Sequence, residues 1–327
     1  MSARFGYTLM TEQAGPKQLI TDAVAAERAG FDFEVCSDHY SPWLAEQGHA
    51  PFAWSVLGAV ADRTERVELI SFVTCPTMRY HPAVVAQQAA TTQLLADGRF
   101  VLGLGSGENL NEHVIGQGWP GVPARQEMLV EALHIIRALL DGGLVDFVGE
   151  HFRVDAARLW DRPADGVPIG VAISGELGIS AFAPLAEHLI AVEPNSELIK
   201  QWNGVDGAPK IGQQARAIGQ LPVCWDPDAD AAIARAHDQF RWFAGGWPVN
   251  ADLRTPAGFA AATRLVTPED VAAAIPCGPD LDAIAEAVQG YLDAGFTDVA
   301  LIQIGGDTQE RFLTEAAGPL LERLRRL

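Results

Sequence analysis

Short apolar runs rich in β-branched and aromatic residues alternate with longer segments of helical period along this 327-residue chain. FGYTLM (Phe5–Met10) reads as a strand. PKQLITDAVAAERAG (Pro16–Gly30) reads as a helix, with Pro near its start and Gly at its end. Strands are expected at Phe31–Asp38, Val67–Cys75 and Phe100–Gly107, with helices between them at Pro51–Thr64 and Pro82–Gly98. A long amphipathic helix covers Pro123–Gly142, and Val145–Asp155 reads as a hairpin turning at Gly149. Val167–Ser174, His188–Glu193, Ile218–Trp225 and Thr297–Ile304 complete a set of eight strands. Helices are expected at Ala229–Phe243, Leu281–Ala294 and Thr308–Leu327. Gly245–Val266 shows no clear period and reads as an inserted loop region.

Eight strands with interposed helices at this length predict an α/β fold, a (β/α)8 TIM barrel forming one domain over residues 1–327. Continuously apolar strands suit a parallel sheet covered on both faces. A doubly wound sheet is the alternative, but no change of composition marks a second domain.

Composition narrows the partners. The formal charge is −19, and Lys17, Lys200 and Lys210 are the only lysines. Such a surface repels phosphates and anionic lipid, so neither nucleic acid nor membrane is expected as a partner. No apolar run reaches the length of a membrane span, and the N-terminal residues lack a secretory pattern. Cys36, Cys75, Cys224 and Cys277 form no CxxC pair, so no metal site is expected. The expectation is a reduced, cytoplasmic protein.

In a (β/α)8 barrel the chemistry sits at the C-terminal ends of the strands. That rule selects Glu12 after the first strand, and Asp38, His39 and Trp43 in CSDHYSPW after the second. It selects Thr74 and Cys75 after the third strand, and Ser106, Gly107, Glu108 and Asn111 after the fourth. Ser174 and Gly175 follow the fifth strand and Glu193 the sixth. A histidine, acids and an indole would then share one mouth. In GLGSGENLNE, Gly103, Gly105 and Gly107 read either as sites of close backbone approach to a ligand or as a tight βα turn.

VCSDHYSPW, GHAPFAW, RYHPAVVAQ, GLGSGENLNE and the PIGVA of the fifth strand together resemble the luciferase-like flavin and deazaflavin enzymes. The similarity is to the branch of the F420-dependent glucose-6-phosphate dehydrogenases. It runs over nearly the whole chain and is strongest up to about Gly178. The resemblance implies coenzyme F420, a carrier of hydride alone, and a homodimer. By position it makes His39 the base for a substrate hydroxyl and Glu108 the acid beside the deazaflavin N1 region. Trp43 and Glu12 would line the substrate side, and Asp38 would contact the ring system. Val73 and Cys75 would back the ring, where the family often has a strained peptide before the valine and this chain has Phe72. Ser106, Gly107, Asn111, Ser174 and Gly175 would complete the cofactor set.

The chain departs from that branch where basic residues clamp the sugar phosphate. AVEPNSEL (Ala191–Leu198) has no Lys or Arg, and PEDVAAAIP (Pro268–Pro276) has alanines where the branch has a Lys–Arg pair. A phosphate dianion would lose its water without compensation there. The expected substrate is therefore a neutral alcohol or carbonyl compound, with Trp242, Phe243, Trp247 and Phe259 as an apolar wall. The alternatives are an FMN-dependent monooxygenase, a non-catalytic barrel, or a glucose-6-phosphate dehydrogenase whose clamp is displaced to Arg241, Arg254 and Arg264.

Overall fold

The computed structural model describes residues 2–173 and 175–327. Ten strands are found among them. They are β1 (Arg4–Leu9), β2 (Phe33–Cys36), β3 (Glu68–Ser71), β4 (Phe100–Leu104), β5 (Val145–Val148), β6 (Arg153–Ala157), β7 (Ile169–Ala172), β8 (His188–Ile190), β9 (Ala217–Val223) and β10 (Asp298–Gln303). Eight close into a parallel barrel in the order β1-β10-β9-β8-β7-β4-β3-β2, as predicted, and β5–β6 is the hairpin. The Gly149 amide closes that hairpin by donating to the Phe152 carbonyl at 2.9 Å.

The two faces of the barrel wall follow the period of two. Phe33, Val35, Ile70, Phe72, Val101, Ile190, Ile218 and Ala300 fill the interior. The alternate residues, such as Leu69, Leu102 and Val171, pack outward under the helices. At the N-terminal end of the barrel Arg216 bridges Glu68 (2.5 Å) and Asp298 (3.4 Å), and Arg4 contacts both at 3.3 Å. This end carries stability, leaving the opposite end for chemistry.

The helix starts obey local rules. Pro16 opens Pro16–Ala29, which closes at Gly30 with φ 105°, and His81 caps Pro82–Leu95. The region read as an irregular insertion instead holds two short helices, Trp247–Asn250 and Pro256–Ala262. They are too short for a helical period to show in the sequence. Pro256–Ala262, with Ala229–Phe240 and Pro268–Ala274, forms a separate apolar cluster containing Met10, Trp43, Leu44, Leu110, Phe240 and Phe259. That cluster roofs the barrel mouth. Among the described residues, no helix is long and apolar enough to cross a membrane.

Candidate active site

β2 ends at Cys36, and the chain turns through Ser37, Asp38 and His39 at the barrel mouth. His39 is buried between two carboxylates. Its Nδ1 lies 3.4 Å from Glu12 Oε1 and its Nε2 lies 3.6 Å from Glu108 Oε2. Nδ1 is also 3.2 Å from the Ser41 carbonyl. A carbonyl can only accept, so Nδ1 carries a proton and the neutral ring presents the lone pair on Nε2. Burial works against a charged ring. The negative charges of Glu12 and Glu108 outweigh it and hold the His39 pKa above the ordinary histidine value. Burial raises the Glu108 pKa as well, although His39 and Arg79 oppose the rise.

Glu12 is fixed on every side. Its Oε2 accepts from Ser37 Oγ at 2.5 Å and Thr11 Oγ1 at 3.1 Å, and its Oε1 accepts from Trp43 Nε1 at 3.1 Å. The Trp43 indole lies 4.8 Å from His39 by ring centroids. It stacks on Trp242 at 4.1 Å and 7°, with Phe259 edge-on at 5.1 Å. Phe243 packs against Trp242 in turn. Trp242 and Phe243, both half-buried, and the fully buried Phe259 therefore gather around Trp43. Trp247 does not; it is 37 % exposed and outside this cluster.

Asp38 is tied to the loop after β3. Its Oδ1 accepts from Arg79 Nη2 (3.1 Å) and Tyr80 Oη (3.0 Å), and its Oδ2 accepts from Thr74 Oγ1 (2.8 Å). Its side chain has no exposed surface and positions the β2 loop. Asn111 is similarly committed. Its carbonyl oxygen accepts from the Tyr40 amide (2.8 Å) and the Ser41 amide (3.3 Å), while its Nδ2 donates to Glu108 (3.3 Å). It latches the loop after β4 to the loop after β2.

Arg79 is the residue that sequence reasoning left without a role. Its guanidinium donates to the Asp38 carbonyl and carboxylate and sits 3.5 Å from Glu112. Burial pushes the Glu112 carboxyl up to about 7 against the pull of Arg79. An arginine beside a strand end in so acidic a chain was the available signal.

The glycine run is explained by packing. A Cβ at Gly105 would meet Val73 Cγ2 at 2.7 Å, and one at Gly107, where φ is 83°, would meet Cys75 Sγ at 2.5 Å. The protein itself fills the space read as room for a ligand. Cys75 is accordingly buried, its sulfur 3.0 Å from Thr77 Oγ1, so it supports the loop from behind. Val73, which follows a cis Phe72–Val73 peptide, stays half-exposed and with Ala172 caps the interior cluster. Ser106 and Gly107 also remain partly open, and Gly175 is exposed at the cap of helix Glu176–Phe182. Ser174 lies outside the described residues. Val73 and Ala172 thus leave partly exposed apolar surface on either side of Gly105 at the top of the interior cluster, which suits a flat ring.

The luciferase-like monooxygenase family model matches residues 1–298. The chain is 36% identical to the F420-dependent glucose-6-phosphate dehydrogenase of Nakamurella multipartita, covering 99% of this chain and 97% of that protein. It is also 36% identical to the protein of that name from Nocardia farcinica, over 98% of each. Among solved structures, an F420-dependent secondary alcohol dehydrogenase in complex with an F420-acetone adduct superposes with a TM-score of 0.90 at 27% identity, over 99% of both chains. The coenzyme F420 dependent tetrahydromethanopterin reductase of Methanopyrus kandleri shares the fold, with a TM-score of 0.75 at 20% identity over 96% of this chain and 98% of that one. By sequence and by fold, the chain belongs to the luciferase-like family and, within it, to the F420-dependent oxidoreductases.

Proposed function

We propose that this enzyme uses coenzyme F420 to interconvert a neutral secondary alcohol and its ketone, and that glucose 6-phosphate is a poor substrate. The observation that carries the reading is the His39 imidazole held between Glu12 and Glu108 beneath the Trp43–Trp242–Phe259 roof. When bound, F420 supplies two-electron hydride exchange with the carbinol carbon. Val73 and Ala172 would bear its ring, with Ser106, Gly107 and Gly175 toward its tail. Nε2 of His39 takes the hydroxyl proton on oxidation and returns it on reduction. The Glu12 carboxylate and the Ser41 carbonyl fix the ring and favour its charged form. Glu108, more readily protonated than a free carboxyl, holds a proton at the mouth where negative charge develops. The roof excludes water from these transfers.

The charge around the mouth supports a neutral substrate. Arg241, the best placed basic residue of the roof, is held by Glu46 at 2.8 Å and by the Asp238 carbonyl. Arg254 and Arg264 lie exposed. Arg79 is saturated by Asp38 and Glu112. The relatives named glucose-6-phosphate dehydrogenase share more sequence with this chain, while the secondary alcohol dehydrogenase shares its fold over the full length. Steady-state kinetics with F420 decide between them. The expectation is a kcat/KM for 2-propanol that exceeds that for glucose 6-phosphate by at least about 100-fold, the cost of an unpaired buried anion. Equal values would refute the reading.

A homodimer completes the proposal. Val84, Leu94 and Leu95 of helix Pro82–Leu95 and the adjoining Phe52 are between 44 and 48 % exposed, an apolar face suited to a second copy. Sedimentation at the mass of one chain would remove it.

A further inference from the structure

β9 runs out at Val223, and the chain leaves the barrel wall before it returns in helix Leu281–Asp293. Residues 225–276 hold the helices Ala229–Phe240, Trp247–Asn250, Pro256–Ala262 and Pro268–Ala274, which make up or adjoin the roof. A cysteine stands at each end of that excursion, Cys224 on leaving and Cys277 on returning. The two lie side by side. The Cys224 amide donates to the Pro276 carbonyl at 2.9 Å, and the Gly278 amide donates to the Cys224 carbonyl at 3.0 Å. They are direct partners in a short parallel bridge. Opposed residues of a ladder send their side chains to the same face, and strands lie ~4.8 Å apart. That spacing falls inside the roughly 4.4–6.8 Å between Cα atoms that a disulfide spans. Cys224 belongs to the roof cluster and Cys277 packs against it. Both thiols are free in this structure.

The pair divides the work that thiol–disulfide exchange needs. Cys277 is half-buried, so an oxidant can reach it, whereas Cys224 is fully buried. Arg235 Nη1 lies 3.8 Å from the Cys224 sulfur, and its Nη2 donates to Asp226 at 2.9 Å. A guanidinium so placed favours a thiolate. The Cys224 thiol donates to the Ile304 carbonyl at 3.8 Å, a weak bond that costs little to break. Burial dominates both groups all the same. It pushes the Cys277 thiol up to about 11. Burial and the adjacent Cys277 push the Cys224 thiol up to about 12. Exchange needs the thiolate, so it is slow at neutral pH and quickens as the pH rises.

We infer that Cys224 and Cys277 form a disulfide when a low-molecular-weight disulfide oxidises them, and that the bond closes the neck of the roof. The Cys277 thiolate attacks one sulfur of the oxidant, giving a mixed disulfide and one released thiolate. The Cys224 thiolate then attacks the Cys277 sulfur and expels the second. The two protons lost by the cysteines pass to the two small thiolates, so one disulfide is reduced as one is formed. Joining 224 to 277 ties the two ends of the roof together and limits how far its helices part. The bond is independent of the proposed reaction and of its substrate.

The test treats the full chain with excess oxidised glutathione over a series of pH values from neutral to mildly alkaline. Two of the four thiols should be lost. A non-reducing peptide map should show Cys224 joined to Cys277 within one chain, and dithiothreitol should reverse it. The rate should rise by up to about tenfold per pH unit, as the thiolate does. In Cys224→Ala, glutathione should remain on Cys277, because the resolving thiol is gone. Cys277→Ser should keep its remaining thiols. Hydrogen exchange across Trp247–Ala262 should slow by about fivefold or more in the oxidised chain. No Cys224–Cys277 linkage at alkaline pH, with the fold intact by circular dichroism, would overturn the inference. So would a linkage that joins two chains, or equal thiol loss in Cys277→Ser. Unchanged exchange in the roof would overturn the closure.

Discussion

Replacing Glu12 by glutamine removes one of the two negative charges beside His39 and almost nothing else. The new side-chain carbonyl can still accept from Trp43 Nε1, and the new amide can donate to the hydroxyls of Ser37 and Thr11 that now donate to Glu12. At the observed 3.4 Å, two unit charges attract by about 5 kcal/mol at an effective dielectric near 20. Spreading of both charges and relaxation around them reduce this to roughly one to two pH units, or about 1.4–2.7 kcal/mol. The sign follows from the structure. The His39 pKa is raised in the native protein, and the base is active only when neutral, so alcohol oxidation rises with pH through that raised value. In Glu12→Gln the remaining Glu108 must hold the charged ring against burial alone. The acid limb of kcat/KM should therefore move to lower pH by about one to two units. An NMR titration of the His39 ring without cofactor should move by the same amount. A limb that stays in place, or moves upward, would refute the placement of Glu12 as the charge that tunes His39.

Four further outcomes follow from the same geometry. His39→Ala should keep F420 affinity, measured by fluorescence titration, and lose about 100-fold or more in kcat. Trp242→Ala removes the 4.1 Å stack on Trp43 and should raise KM for 2-propanol up to about tenfold, with F420 affinity unchanged. Arg79→Met strands Asp38 and Glu112 without a counter-charge and should cost about 3–5 kcal/mol in urea unfolding. Glu112 protonates at low pH, so that deficit should widen as pH rises through about 7. Glu34 has two buried carboxylate oxygens without partners, and burial raises its pKa well above the ordinary carboxyl value. A raised carboxyl pKa contributes stability only while the group is protonated. Glu34→Met should therefore stabilise the fold by about 1–3 kcal/mol near neutral pH, with a smaller gain in acid.

The barrel was legible because its strands and helices differ in period and are punctuated by Pro and Gly. The strand-end rule then placed Glu12, His39, Trp43 and Glu108 at one mouth, and the structure brings them together. The partners of the Asp38 side chain were not legible, because Thr74, Arg79 and Tyr80 reach it only once β2 and β3 pair. The glycines after β4 were open to two readings, and in the structure the close approach is made by Val73 and Cys75 of the neighbouring loop. The Trp43–Trp242 stack joins positions about two hundred residues apart, and no local pattern encodes it.

The stack also draws a seam through the enzyme. Every group proposed to move or hold a proton comes from loops within residues 11–112, tied together by Arg79 and Asn111. The apolar wall proposed for the substrate's carbon skeleton comes from the segment 242–259, hung outside the strand ladder. Selectivity could then drift, or be grafted, by exchanging that canopy, provided a replacement matches the Trp43 stack, the Arg241–Glu46 pair and the Asn109 bonds to Ala251 and Asp252.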